Sequence, residues 1–306
     1  MVIKHRQKSL VIKLMSFLHA RMILPEKEVN NYLNLVKGFE GEQKSDTWLE
    51  ELSKDYLIVH DLLLEYNHSK FQIDTLLIAY EKIYLLDVKN YEGDYCAEGD
   101  KWNKLTPKKE IKNPLHQLDR CETLLRALLT NLGYRYPIES YLIFINPEFH
   151  LYQTTINPSI IFPTQLNRFL KKLNERPSKS NKRQFNLAEQ LISLHTIESP
   201  YPYLPAYDYD QLEKGPLCSK CFSIFTEMKG LKLVCGHCGC QEEVESAVVR
   251  SVDEFMLLFP DRKITTKGIH EWCHIVKSEK TIRRVLKKNY KRIGSSISSN
   301  YVSRKD

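Results

Sequence analysis

The hydrophobic pattern changes character near Gly38. Before it, apolar residues stand at helical spacing among basic ones: Leu10, Ile12, Leu14, Met15 and Leu18, then, past a turn near Pro25, the stretch Val29 to Val36. This predicts an N-terminal helical arm over residues 1–37, two short helices packed against the domain that follows. After Gly38 the pattern predicts a helix around Glu40 to Leu52 and three β-rich runs, Tyr56 to Glu65, Phe71 to Tyr80 and Ile83 to Asn90. A helix from Pro114 to Asn131 and a short apolar strand, Tyr141 to Ile145, closed by Pro147, complete an α-β-β-β-α-β order.

Two more helices, Pro163 to Leu173 and Leu187 to His195, flank a polar stretch, Arg176 to Arg183, and extend this α/β domain over 38–198. A Pro- and Tyr-rich segment from Ser199 marks a linker, 199–214. A cysteine-bearing module occupies 215–245, and helical periodicity returns in Ser246 to Phe259, Thr265 to Ile275 and Ser278 to Tyr290, with Thr265 and Ser278 as N-caps. Three short helices followed by a β-capable tail, Ile293 to Val302, predict a helix-turn-helix unit with a wing over 246–306.

Composition adds class. With 42% hydrophobic and 27% charged residues in 306, the chain is globular and long enough for more than one core. The run Val11 to Leu24 is interrupted by Lys13, His19 and Arg21, so neither membrane insertion nor a secretory leader is expected, and the cytoplasm is the expected compartment. The net charge of +7 is concentrated at one end: residues 262–306 hold 13 Lys or Arg against 3 acidic residues, so the rest of the chain is slightly acidic. Such a concentration suits a polyanion, because each cation that neutralises a phosphate releases counterions.

The cysteines are distributed for metal rather than for disulfides. Cys218 and Cys221 form one C-x-x-C pair and Cys235 and Cys238 a second, 13 residues further on, while Cys96, Cys121 and Cys273 stand alone. Paired knuckles at this spacing point four thiolates at one tetrahedral ion, predicting a zinc ribbon with a hairpin turning at Lys229 and Gly230. Four thiolates leave no open coordination position, so the expected Zn2+ role is structural. Cys240 and His237 lie beside the second knuckle as substitutes, and Trp272 and Cys273 are expected in the core.

A second constellation lies on the strands. Alternation places Asp87 and Lys89 on one face, and Asp74 on the neighbouring strand reaches that face if the turn near Glu81 sets the register. Converging carboxylates call for a hard cation such as Mg2+ or Mn2+, and a metal with an adjacent lysine is the equipment of phosphodiester hydrolysis.

Several ordered motifs, Gly38-Phe39-Glu40-Gly41-Glu42 opening a helix, Phe71-Gln72-Ile73-Asp74, Asp87-Val88-Lys89-Asn90-Tyr91-Glu92-Gly93, Trp102, and Asn113-Pro114-Leu115-His116-Gln117, resemble the nuclease-related domain, NERD, over about residues 38–150. That family is similar to the PD-(D/E)XK nucleases, which implies a restriction-endonuclease-like core. Carried over by position, the resemblance makes Asp74 and Asp87 metal ligands, Lys89 the catalytic lysine, Glu42 an added carboxylate from the first helix and Gln117 a contributor from the later one. The family more often carries glutamate at the Asp87 position, and Cys121 stands where some relatives have tyrosine.

In the last helix, Arg283, Arg284, Lys287 and Lys288 spread over one face opposite Ile282, Val285 and Leu286, with Lys291 and Arg292 opening the wing. This layout fits a recognition helix making phosphate contacts. The expectation is therefore a Mg2+-dependent deoxyribonuclease with a zinc ribbon and a winged-helix-like DNA-binding end. The rival readings are a catalytically inactive DNA-binding scaffold and an enzyme directed at RNA.

Overall fold

The computed structural model describes residues 1–175, 181–197, 201–294 and 299–304. Parts of the polar stretch after Arg176, of the linker start and of the wing loop lie outside the described residues. The chain runs β1 (Val2–Lys4), α1 (Leu10–Arg21), α2 (Glu26–Leu49), β2 (Leu57–Tyr66), β3 (Ser69–Ile78), β4 (Ile83–Lys89), β5 (Gly93–Glu98), β6 (Lys101–Lys104), β7 (Lys109–Ile111) and α3 (Pro114–Asn131). It continues through β8 (Ile138–Phe144), β9 (Phe149–Tyr152), β10 (Ile160–Ile161), α4 (Leu166–Asn174) and α5 (Lys182–Ser193). The C-terminal part holds β11 (Glu227–Lys229), β12 (Lys232–Val234), β13 (Gln241–Glu243), α6 (Val244–Leu258), α7 (Thr266–Trp272), α8 (Glu279–Asn289), β14 (Lys291–Ile293) and β15 (Asn300–Val302). Two compact units result, one of Met1–Lys8 and Asn34–Ser199, the other of Ser9–Leu33 and Pro200–Asp306.

The first unit is built on a six-stranded sheet in the order β1-β2-β3-β4-β8-β10. Strands β2, β3 and β4 are antiparallel neighbours, while β8 runs parallel to β4 and β10 parallel to β8. The α-β-β-β-α-β order is thus present, as α2, β2, β3, β4, α3 and β8. Period-two alternation covers both faces: Ile83 and Leu85 join the cluster that contains Leu118 and Leu125 of α3 and Leu187 of α5, whereas Tyr84, Leu86 and Val88 join Leu49 of α2 and Phe169 and Leu173 of α4. Each buried Leu in these layers contributes about 1.5–3 kcal/mol. Helix α3 begins where expected because Asn113 Oδ1 accepts from the Leu115 amide at 2.9 Å and Pro114 needs no partner at the first turn.

Two features depart from the sequence expectations. The motif containing Gly38 and Gly41 does not open a helix but lies inside α2, which starts at Glu26. Glycine is a poor helix former, yet a Cβ on Gly41 would stand 2.3 Å from Asn90 Cβ, so glycine is required where the helix crosses the end of β4. The residues before Gly38 are also more divided than a two-helix arm: Val2–Lys4 is an edge strand parallel to β2. Helix α1 is part of the second unit, not of the α/β unit, and Leu14, Met15 and Leu18 belong to the second unit's core. Its buried Arg21 explains this, pairing with Glu254 of α6 at 2.6 Å and donating to the carbonyls of Glu213 and Gly215. A second sheet, β7-β6-β5-β9, was not anticipated; its Trp102 is buried and stacks on Phe144.

In the second unit, β11, β12 and β13 form a small antiparallel sheet turning at Gly230. Helices α6, α7 and α8 follow, then the hairpin of β14 and β15. Thr265 and Ser278 cap α7 and α8 as expected, and Trp272 and Cys273 are fully buried. Three helices and a two-stranded antiparallel pair therefore follow the small sheet. Among the described residues no helix is long and apolar enough to cross a membrane.

Candidate functional site

The carboxylates meet where the β3–β4 ladder ends. The last paired residues are Thr75 and Leu86, so the next step in register sets Asp74 opposite Asp87. There the Asp74 side chain replaces the missing strand partner: its Oδ2 accepts from the Val88 amide at 2.8 Å. Asp61, opposite Asp74 on β2, has φ of +54°, a left-handed conformation that side chains other than glycine seldom adopt. It turns the strand, so that Leu57 and Val59 on one side of it and Leu62 and Leu64 on the other all reach the same core. Strand β3 changes face at the same level, with Phe71 and Ile73 before Asp74 and Leu76 and Ile78 after it in that core, so the two strands keep one register through Asp61 and Asp74.

Asp87 and Lys89 share the α3 face, as alternation requires. Lys89 Nζ donates to Asp87 Oδ1 at 2.6 Å and to Gln117 Oε1 of α3 at 3.3 Å. Asp87 is 95% removed from solvent, and its Oδ2 is buried with no hydrogen-bond partner among the described residues. Burial first, then the neighbouring Asp74, raise its pKa to about 7 against the pull of Lys89. Burial lowers the Lys89 pKa, but Asp87 and Asp74 outweigh it and the net shift is upward, so the amine carries its proton.

Glu42 reaches the same neighbourhood from α2, where burial and then Asp74 raise it to about 8. Its partner is Arg6, a residue outside every motif and periodic run of the sequence. The Arg6 side chain is only 3% exposed; Nη1 donates to Glu42 Oε2 at 2.6 Å. Nε and Nη2 clamp Asp46 at 2.9 and 3.1 Å, and Nη2 also reaches the Asp74 carbonyl at 2.8 Å and Thr75 Oγ1 at 3.2 Å. Behind them His60 Nδ1 lies 3.0 Å from Thr75 Oγ1 and 3.1 Å from Asp46 Oδ1. Burial, with Arg6 and Lys4 nearby, lowers the His60 pKa to about 4, so at neutral pH the ring is uncharged and these contacts are hydrogen bonds. The edge strand β1 brings Arg6 alongside, and its three residues are too few to leave a periodic signal in the sequence.

All five expected residues, Glu42, Asp74, Asp87, Lys89 and Gln117, therefore lie around one neighbourhood, with Arg6, Asp46 and His60 added. Cys121, one turn beyond Gln117, is buried and donates to the Gln72 carbonyl; burial and then Asp87 and Asp74 push its thiol up to about 11, leaving it protonated. A hard divalent cation fits this donor set: an orphaned buried carboxylate oxygen faces no protein donor, and a second carboxylate stands beside it.

In the second unit, Cys218, Cys221, Cys235 and Cys238 place their sulfur atoms within 4.8 Å of one another. Cys218 Sγ is 3.6 Å from Cys238 Sγ, and Cys221 Sγ 3.5 Å from Cys235 Sγ. A tetrahedral Zn2+ with bonds of about 2.3 Å needs sulfurs about 3.8 Å apart. The two knuckles are alike: the amides of Phe222 and Gly239 return to the carbonyls of Cys218 and Cys235, and both residues have positive φ, +60° and +70°. Cys240 and His237 stand outside the set. The cluster is suited to a structural metal such as zinc.

On α8, Ile282, Val285 and Leu286 are buried, and Arg283, Arg284, Lys287 and Lys288 are exposed. With Lys280 these four line an open groove; Lys287, Lys291, Arg292, Arg304 and Tyr290 line another. Lys288 also pairs with Glu245 at 2.7 Å.

The sheet order, the crossing of α2 at Gly41 and the carboxylate-lysine geometry define a nuclease-like α/β core. Residues 37–145 match the family model of NERD, the nuclease-related domain. Neither the curated proteins nor the solved structures contain a match.

Proposed function

We propose that this protein is a metal-dependent nuclease that hydrolyses DNA phosphodiester bonds, with Asp74 and Asp87 holding Mg2+ or Mn2+. The observation that carries this reading is the buried, unpartnered Asp87 Oδ2 directly opposite Asp74, with the Lys89 ammonium 2.6 Å from the other oxygen of the same carboxylate. When bound, the divalent ion supplies Lewis acidity at the scissile phosphate. Lys89, fixed between Asp87 and Gln117, presents its N–H groups to the attacking water and to the charge that develops on phosphorus oxygens as the new P–O bond forms and the old one breaks. Gln117 restricts the lysine to that position, and Glu42, tied to Arg6, sets the local charge.

The four cysteines hold structural Zn2+. The exposed cations Arg283, Arg284, Lys287, Lys288, Lys291 and Arg292 contact the DNA backbone, consistent with the positive charge gathered at that end of the chain.

The test is cleavage of plasmid and linear DNA with Mg2+ or Mn2+ by wild type, Asp74→Ala and Lys89→Ala at matched zinc content. Metal-dependent cutting is expected in the wild type, with a loss of about 10²–10³-fold or more in both variants. Cutting equal in all three proteins would sink the site assignment. Salt-sensitive DNA binding without cutting on any substrate would make the domain a binding scaffold.

A further inference from the structure

We infer that Arg6 is a built-in counter-cation that limits the nuclease centre to a single divalent ion, bound at Asp74 and Asp87, and keeps Glu42 out of its coordination shell. The inference rests on the metal-site reading above. Glu42 Oε2 is engaged by Arg6 Nη1 at 2.6 Å, and the guanidinium is held from four further directions by Asp46, the Asp74 carbonyl and Thr75. His60 in turn fixes Asp46 and Thr75, so the arginine is locked by groups that never face solvent fully. An arginine fork in this setting cannot give up its charge and cannot swing away without stranding Asp46.

Charge counting leads to the same number of ions. In the metal-bound centre, with the protons that burial holds on Glu42 and Asp87 displaced, five ionised carboxylates gather, Glu42, Asp46, Asp61, Asp74 and Asp87, and three cations answer them: Lys4 near Asp61, Arg6 between Glu42 and Asp46, and Lys89 on Asp87. Two negative charges are left over, the charge of one divalent ion. The buried oxygen without a partner belongs to Asp87, on the Lys89 side, and not to Glu42. A second divalent ion beside Glu42 would have to sit against the guanidinium in a poorly solvated site, where like charges repel strongly.

The test counts ions rather than turnover. Mn2+ is titrated by calorimetry, with electron paramagnetic resonance of the bound ion, into the full zinc-loaded chain, and Asp74→Ala reports ions bound elsewhere. One Mn2+ sensitive to Asp74→Ala is expected in wild type and in Arg6→Lys, which keeps the charge, and two in Arg6→Gln, which removes it. Glu42→Gln is expected to retain one ion with affinity reduced by less than about a hundredfold, the range of groups outside the coordination shell. Two ions in wild type, one in a folded Arg6→Gln, or a larger loss in Glu42→Gln would each overturn the inference and leave the nuclease reading standing. No Asp74-dependent ion in wild type would overturn both. If Arg6→Gln does not fold, the wild-type count and Glu42→Gln decide.

Discussion

The carboxylate centre of the first unit and the thiol cluster of the second are both sets of like groups drawn together by the fold, but they are assembled in opposite ways. The four cysteines span 21 residues, and each knuckle is closed by its own backbone hydrogen bond. Among the described residues their sulfurs face one another. The carboxylates come from α2, β3 and β4, with Lys89, Gln117 and Arg6 brought in from up to 69 residues away. Their charge is already mostly balanced by side chains. On the metal-binding reading proposed above, the contrast teaches that the thiol cluster would depend on its ion for folding, whereas the carboxylate centre is a finished part of a packed domain that an ion would complete.

The largest effect expected from this difference is metal removal. Stripping zinc, or Cys235→Ser, removes a stabilisation whose apparent value for structural Zn2+ is about 10–16 kcal/mol. Hydrogen exchange should then lose protection over 241–258, where β13 and α6 follow directly on the ribbon, and leave β2 to β4 protected. Removing Mg2+ should change neither region greatly. Equal losses in both units on removing either ion would break the comparison.

The next effect concerns how the carboxylate centre is held. Gly41→Ala places a Cβ 2.3 Å from Asn90 Cβ, an atom attached directly to the β4 end of the chain that cannot swing away as the tip of a long side chain could. Overpacking of this kind costs about 1–3 kcal/mol, read as a lower urea midpoint at unchanged slope, and it moves Glu42 with the helix. If Gly41→Ala is as stable as wild type, α2 does not depend on the close crossing.

Smaller still is the pH response of His60. Its folded pKa of about 4 lies below its ordinary value, so the unfolded chain takes up a proton first as pH falls. The stability His60 contributes is therefore complete above about pH 6.5 and is lost as pH falls through about 4, by about 2 kcal/mol after allowance for partial solvation. Thermal melts of His60→Gln should show a shallower decline across that window than wild type, with Mg2+ absent from both. Identical slopes would show that the ring is not neutral by burial.

What could be read from the sequence follows the same division. The cysteine ligands were legible because coordination geometry is written into spacing along a few residues. Asp87, Lys89 and Gln117 were legible through strand alternation and motif resemblance, and β2, β3, β4 and α3 through strong periodicity. Arg6, Asp46 and His60 were not, since their meeting depends on an edge strand of three residues and on the phase change at Asp61, neither of which leaves a periodic signal. The sheet of β5, β6, β7 and β9 was missed for a related reason: its strands are only three to six residues long, and Lys, Glu or Asp interrupt the apolar positions of β5, β6 and β7. The glycines of α2 suggested a helix start, when Gly41 instead records a close approach.

The smallest effect tests whether the thiol cluster is as locally determined as this account requires. Phe222 and Gly239 occupy equivalent places, each just beyond its knuckle and each with φ near +65°, so the first knuckle already tolerates a side chain where the second has none. No atom lies within 4 Å of a Cβ built on Gly239, which leaves backbone conformation as the sole cost of Gly239→Ala. That cost is about 1 kcal/mol. Because the left-handed turn is what lets the Gly239 amide reach the Cys235 carbonyl, the penalty should appear in zinc affinity, as a roughly fivefold loss against a chelator, with α8 and the nuclease-related domain unchanged. A much larger loss would mean that the second knuckle is held by more than its own turn, and that the cluster shares the non-local character of the carboxylate centre.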